Sequence, residues 1–69
     1  MRALTETQER ILAFIRQTIT ETGVAPPVRQ ITAGAGLRSR ATVHYQLGQL
    51  KAAGRLRHEP GRHRSIRLT

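Results

Sequence analysis

Residues 39–50 have the sequence SRATVHYQLGQL, and this stretch decides the fold. Val43, Leu47 and Leu50 recur at the spacing of one helix face, and Ser39 stands where a helix N-cap is expected. The opposite face carries side chains that are small or form hydrogen bonds: Ala41, Thr42, Tyr45, Gly48 and Gln49. A solvated helix would carry Glu and Lys there, whereas a narrow uncharged face suits insertion into a DNA major groove.

A first helix is predicted near the start of the chain. Thr5 is placed as its N-cap with Gln8 in the matching position of a capping box, and Gly23 is placed to end it. Apolar residues recur between them at helical spacing: Ile11, Leu12, Ile15 and Ile19. We expect this helix to be structural and to bury its apolar stripe beneath the second half of the chain.

A short second helix is predicted from Val28 to Ala35, with Ile31 as its main apolar anchor. Gly34 lies inside it and costs about 1 kcal/mol relative to alanine, and Gly36 ends it. A short helix, a glycine turn and a helix starting at Ser39 indicate a helix-turn-helix. The alternative is a plain three-helix bundle without a role in DNA binding.

The residues after the third helix predict a β-hairpin. Gly54 is placed to end the helix, and strands are expected at 55–58 and 65–68 with a turn at 59–62. The fold class is therefore mainly α with a small β-hairpin, a winged helix-turn-helix of three helices and a two-stranded antiparallel wing. We expect residues 1–69 to form one domain of this kind.

The charge of the chain is unevenly distributed. Four Arg and three Glu give residues 1–34 a charge of +1, whereas seven Arg, one Lys and one Glu give residues 35–69 a charge of +7. A field of one sign over half the surface favours a polyanion, so we expect nucleic acid rather than an acidic protein. The basic half lacks the large apolar face of a membrane-bound helix, and one Tyr is too few for an RNA-binding surface.

The candidate DNA contacts are of two kinds. Thr42, Gln49, His44 and Tyr45 are candidates for contact with bases, because they are polar or aromatic and border the uncharged face. The candidates for contact with phosphates are Arg38, Ser39, Arg40, Arg57, Arg62 and Arg64. No catalytic residue, metal site or cofactor is predicted, since Cys is absent and the four Glu are scattered, so we expect no enzyme activity.

The whole chain resembles the N-terminal DNA-binding domain of the LexA family of SOS-response repressors, most closely that of Gram-positive bacteria and actinobacteria. The resemblance rests on the order and spacing of Leu4-Thr5 with Gln8, Ile15, Gly23, Pro26, Ile31, Gly36-Leu37, Ser39, Thr42-Val43-His44, Leu47, Leu50, Gly54 and Arg64 with Ile66. It implies a bacterial cytoplasmic, nucleoid-associated protein whose third helix enters the major groove of a palindromic double-stranded DNA operator. By position it places Ser39, Ala41, Thr42, His44 and Tyr45 on the family's DNA-reading segment, which makes Ala41 a further candidate for contact with bases, and it places the wing around Arg62 on the DNA backbone.

The chain departs from the family pattern at several positions. Ala41 offers no hydrogen bond, Pro27 replaces the usual Ser or Thr cap of the second helix, and Ala35 replaces a larger core residue. Together with Gly34, the changes at Pro27 and Ala35 lead us to expect that the second helix is the weakest. The family's self-cleaving protease and dimerisation half has no counterpart in these 69 residues. No long apolar seam is left over for a stable partner, so we expect a monomer in isolation, with pairing of two copies on DNA. The alternative function is a winged-helix interaction module that docks on an acidic protein.

Overall fold

The computed structural model of the chain describes residues 4–57 and 66–69. It contains three helices, α1 (Glu6–Thr22), α2 (Val28–Gly34) and α3 (Arg40–Ala52), and two strands, β1 (Leu56–Arg57) and β2 (Arg67–Leu68). The strands pair antiparallel in a two-stranded sheet. The predicted class, mainly α with a small β-hairpin, is therefore confirmed.

The start of α1 has the predicted capping box. The Gln8 amide N–H donates to Thr5 Oγ1 at 3.1 Å, and the Thr5 amide N–H donates to Gln8 Oε1 at 3.1 Å. The helix ends at Gly23, whose φ of 83° is left-handed and whose N–H donates to the Ile19 carbonyl. Both ends of α1 are thus closed by the residues that the sequence indicated.

The α2 helix is the least well capped of the three. It has seven residues, and its N-cap Pro27 makes no side-chain hydrogen bond to the helix. Ala35 is the C-cap with φ −89° rather than the last helical residue, so the helix ends one residue earlier than predicted. Gly36 then turns the chain with φ 72°, and the Leu37 N–H returns to the Thr32 carbonyl at 2.9 Å.

Gly34 has a packing role that its helix propensity does not predict. A Cβ atom at this position would lie 2.2 Å from Cε1 of the Phe14 ring. The glycine therefore lets α1 and α2 approach each other closely at this point. Glycine still lowers the helix propensity at this position, but it also permits the contact between the two helices. The expectation that Gly34 only loosens α2 was therefore incomplete.

The core lies where the three helices and the hairpin meet. Every predicted member of the α3 stripe is buried there, as are Ile11, Leu12 and Ile15 from α1 and Ile31 from α2. Ile19 and Phe14 are partly buried at its margin. Leu56 and Ile66 close the core from the hairpin side. The apolar stripe of α3 is thereby packed against the core, and the opposite face of the helix is directed to solvent.

The hairpin joins directly to the end of α3. The left-handed Gly54 (φ 76°) ends the helix, and the Arg55 N–H donates to the Leu50 carbonyl at 2.9 Å. Leu56 pairs with Leu68 and Arg57 with Arg67, so within the described residues each strand is shorter than predicted. The predicted turn at 59–62, and Arg62 and Arg64 with it, lie outside the described residues.

Candidate nucleic-acid interface

The start of α3 is fixed by a pair of hydroxyl groups. Ser39 is the N-cap, since its Oγ accepts a hydrogen bond from the Thr42 N–H at 3.2 Å. Ser39 Oγ and Thr42 Oγ1 are also hydrogen-bonded to each other at 3.0 Å. One of the two hydroxyl protons is used in that bond, so the pair keeps one proton to donate to a ligand. The two predicted contacts at Ser39 and Thr42 are therefore coupled rather than independent.

The predicted base-contacting residues all lie on the solvent side of α3. Ala41, Thr42, His44, Tyr45 and Gln49 are exposed. Tyr45 is 64% exposed and, with Val24, is one of two large hydrophobic side chains exposed among the described residues. An aromatic ring that is exposed to water at the middle of a helix face is available to contact a ligand that covers that face.

These residues do not form a single line along the helix. Ala41 and Tyr45 are one turn apart on the outermost line, and Thr42 and Gln49 lie two turns apart on one flank of it. His44 lies on the other flank, since two residues of an α-helix separate it from Thr42 by about 160° around the axis. The structure thus brings Thr42, Tyr45 and Gln49 to adjoining positions and sets His44 apart from Thr42 and Gln49.

Arginines surround the exposed face of α3. Arg38 and Arg40 are exposed on either side of the N-cap, and Arg57 is exposed on β1. The acidic residues of the described chain, Glu6, Glu9 and Glu21, all belong to α1. Within the described residues, α2, α3 and the two strands carry basic side chains and no acidic ones, which favours an anion at the exposed face of α3.

Arg67 is a further basic residue of this surface that was not among the predicted contacts. The register sets it directly opposite Arg57 on the exposed face of the hairpin, whereas the neighbouring pair Leu56 and Leu68 lies on the other face. Two like charges directly opposite each other destabilise a sheet, and an anion between them removes that cost. Arg67 lies in the strand predicted at 65–68, but only the register identifies its partner.

Gln46 is another contributor that the sequence did not identify. Its Oε1 accepts a hydrogen bond at 3.0 Å from Nε2 of Gln8, the residue that also completes the α1 capping box. This bond ties the first turn of α1 to the middle of α3. Because the two residues are 38 positions apart, no local pattern could have indicated the contact.

Apart from this surface, the described residues offer few groups for catalysis or metal binding. No polar or charged side chain is buried among them, and they contain no group of three or more residues suited to hold a metal ion. No helix in residues 4–57 is long and apolar enough to cross a membrane. The polar groups therefore act at the surface, where a large ligand can meet several of them together.

Comparison with known proteins gives a consistent result. Residues 1–65 match the model of a family described as the LexA DNA binding domain. The chain is 43% identical over 65 residues to the LexA repressor of Caldicellulosiruptor saccharolyticus and 37% identical over 65 residues to that of Carboxydothermus hydrogenoformans, in each case over 94% of this chain and 32% of the relative. It is 38% identical over 68 residues to the LexA repressor of Geobacillus thermodenitrificans, over 99% of this chain and 33% of the relative. The chain thus spans about one third of the length of these curated relatives.

Proposed function

Because this chain belongs to the LexA DNA binding domain family, we propose that it is the operator-binding domain of a LexA-like transcriptional repressor. It binds double-stranded DNA of one preferred sequence and represses transcription by occupying a promoter. The observation that carries this proposal is the outer face of α3, which is exposed, lacks acidic residues and is bordered by arginines.

The α3 helix supplies the contacts with bases. Inserted into the major groove, Thr42 and Gln49 donate and accept hydrogen bonds at base edges from one flank of the helix. Tyr45 lies beside them and contacts a thymine methyl group or a sugar, and Ala41 offers a methyl contact of the same kind. His44 reaches a base or a phosphate from the opposite flank. Sequence preference then arises from the combination of these groups along about two turns of helix.

The arginines supply contacts with phosphates. Arg38 and Arg40 meet the backbone beside the N-terminus of α3, where the Ser39–Thr42 hydroxyl pair donates its remaining proton. Arg57 and Arg67 bind one phosphate together, because the negative charge of the phosphate relieves the repulsion between the two guanidinium groups. Arg62 and Arg64, which lie outside the described residues, complete the proposal as contacts of the wing.

The biological setting is part of the same proposal. The operator is palindromic, the chain is a monomer in isolation, and two copies pair on the DNA with their α3 helices about one helical turn apart. The protein acts in the bacterial cytoplasm at the nucleoid. The proposal gives the chain no catalytic role, no metal ion and no cofactor.

Selection of random duplex DNA on the purified chain tests this function. We expect enrichment of a single consensus that binds at least about ten-fold more tightly than unselected duplex of the same length. A scrambled consensus of the same base composition is the control. Equal binding of consensus, scrambled duplex and a polyacidic peptide would contradict the proposal and would favour an interaction module for acidic partners.

A further inference from the structure

Gly48 lies near the middle of α3, where a glycine destabilises the helix relative to alanine. Its residue position is exposed, and its backbone is not in the left-handed region. Neither the conformation of the chain nor burial therefore requires glycine here.

The other glycines of the described chain each have a reason within the domain. Gly23, Gly36 and Gly54 have positive φ angles and end the three helices, and Gly34 makes room for the Phe14 ring. At Gly48, by contrast, an added Cβ atom would meet no heavy atom within 4 Å. The free domain has space for a larger residue at this point and would gain helix stability from one.

We propose that Gly48 is the point at which the main chain of α3 makes its closest approach to DNA. This inference rests on the proposed function, since it assigns a role within the same interface. Gly48 is one turn beyond Tyr45 and two turns beyond Ala41, so the three positions share the outermost side of α3. A ligand that covers Ala41 and Tyr45 therefore covers Gly48 as well.

The absence of a side chain at Gly48 determines how deep α3 lies in the groove. A Cβ atom would project about 1.5 Å from the Cα atom toward the DNA. Because α3 is rigid, that atom holds the whole helix away and lengthens the contacts of Thr42, Tyr45 and Gln49 together. Gly48 thus contributes to sequence discrimination without contacting any base through a side chain.

The test is the substitution Gly48→Ala in the 69-residue chain. We expect Tm to rise by about 2–6 °C, because alanine favours the helix. We also expect affinity for the duplex selected by the wild-type chain to fall by about ten-fold or more, since a tight interface does not accept an added methyl group. Gly48→Leu should lower the affinity further. A rise in Tm together with a loss of DNA affinity would show that Gly48 serves DNA binding rather than the stability of the fold.

Thr20→Ala is the matched control, because Thr20 is exposed in the last turn of α1, its hydroxyl donates only to the Arg16 carbonyl of the same helix, and alanine also favours the helix there. It should raise Tm without changing DNA affinity. A loss of affinity smaller than about three-fold in Gly48→Ala, with the wild-type consensus retained, would overturn the inference. The proposed function would survive that result, because it fails only if the wild-type chain itself selects no consensus.

Discussion

The α1 and α3 helices are built alike on their buried sides and differently on their exposed sides. On α1, exposed side chains bind one another: Arg10 pairs with Glu6 at 2.7 Å, and Gln17 Nε2 donates to Glu21 Oε1 at 2.9 Å. On α3, the side chains of Tyr45 and Gln49 make no hydrogen bond with any part of the chain that the structure describes. Two polar pairs on the outer face of α1 are therefore satisfied within the free protein, whereas Tyr45 and Gln49 on α3 keep their polar groups for a partner.

Linking two copies of the chain, so that two α3 helices can bind one duplex, should have the largest effect. Two chains joined by a flexible linker should bind a palindrome of the selected consensus about 10²-fold more tightly than the single chain, because the second α3 is held at a high effective concentration. The measurement is a titration by fluorescence anisotropy on the palindrome and on a single half-site.

The spacing of the half-sites is the control for the linked chains. About five extra base pairs turn one half-site to the opposite side of the duplex and should abolish the gain. A single chain that is already a stable dimer in solution would show instead that a further interface exists within these residues.

Truncating Tyr45 should have the next largest effect. Tyr45→Ala should weaken binding of the selected duplex by about 1–3 kcal/mol and leave unselected duplex nearly unaffected. Because the ring is 64% exposed, Tm should change little. Gln17→Ala on the exposed face of α1 is the matched change and should leave affinity as it is. Equal losses in both variants would remove the distinction between the two faces.

Removing Arg67 tests the hairpin as a phosphate contact. Arg67→Thr should weaken all duplexes alike and make the slope of log K against log salt shallower by about 1. It should also stabilise the free domain slightly, since Arg57 loses the like charge opposite it. Arg16→Thr on α1 removes the same charge and serves as the comparison. If both variants reduce the salt slope equally, only net charge matters and the contact at Arg67 is wrong.

The smallest effect should come from the bond between the two helices. A double-mutant cycle of Gln8→Ala and Gln46→Ala should give a coupling free energy of about 0.5–1 kcal/mol in urea unfolding. Because Gln8 also caps α1, Gln8→Ala alone should cost more than Gln46→Ala alone. A coupling near zero would mean that this bond does not help to position α3.

The elements that the sequence predicted well are those with local signals. Thr5 with Gln8 predicted the start of α1, and Ser39 with the stripe of Val43 and Leu47 predicted α3. Capping and helical periodicity act within a few residues, so they can be recognised without knowledge of the fold. The end of α2 was missed by one residue, because Ala35 keeps a φ of −89° while it leaves the helix.

What the sequence could not predict depends on contacts between distant residues. The pairing of Arg57 with Arg67 follows from the strand register, and the bond from Gln8 to Gln46 follows from the packing of α1 against α3. Gly34 suggested a weak helix until the position of the Phe14 ring was known. In the candidate interface, the residue types were predicted from the sequence, but their division between the two flanks of α3 and the coupling of Ser39 to Thr42 required the structure.

The most direct test of the difference between the two helices is a titration of the 15N-labelled chain with its selected duplex, followed by amide chemical shifts. We expect the largest changes on residues 38–49, with Tyr45, Gly48 and Gln49 among them, and little change at Arg10, Arg16 and Gln17 on α1. Changes concentrated on the exposed face of α1, with α3 unaffected, would contradict the assignment of α3 as the DNA-binding helix.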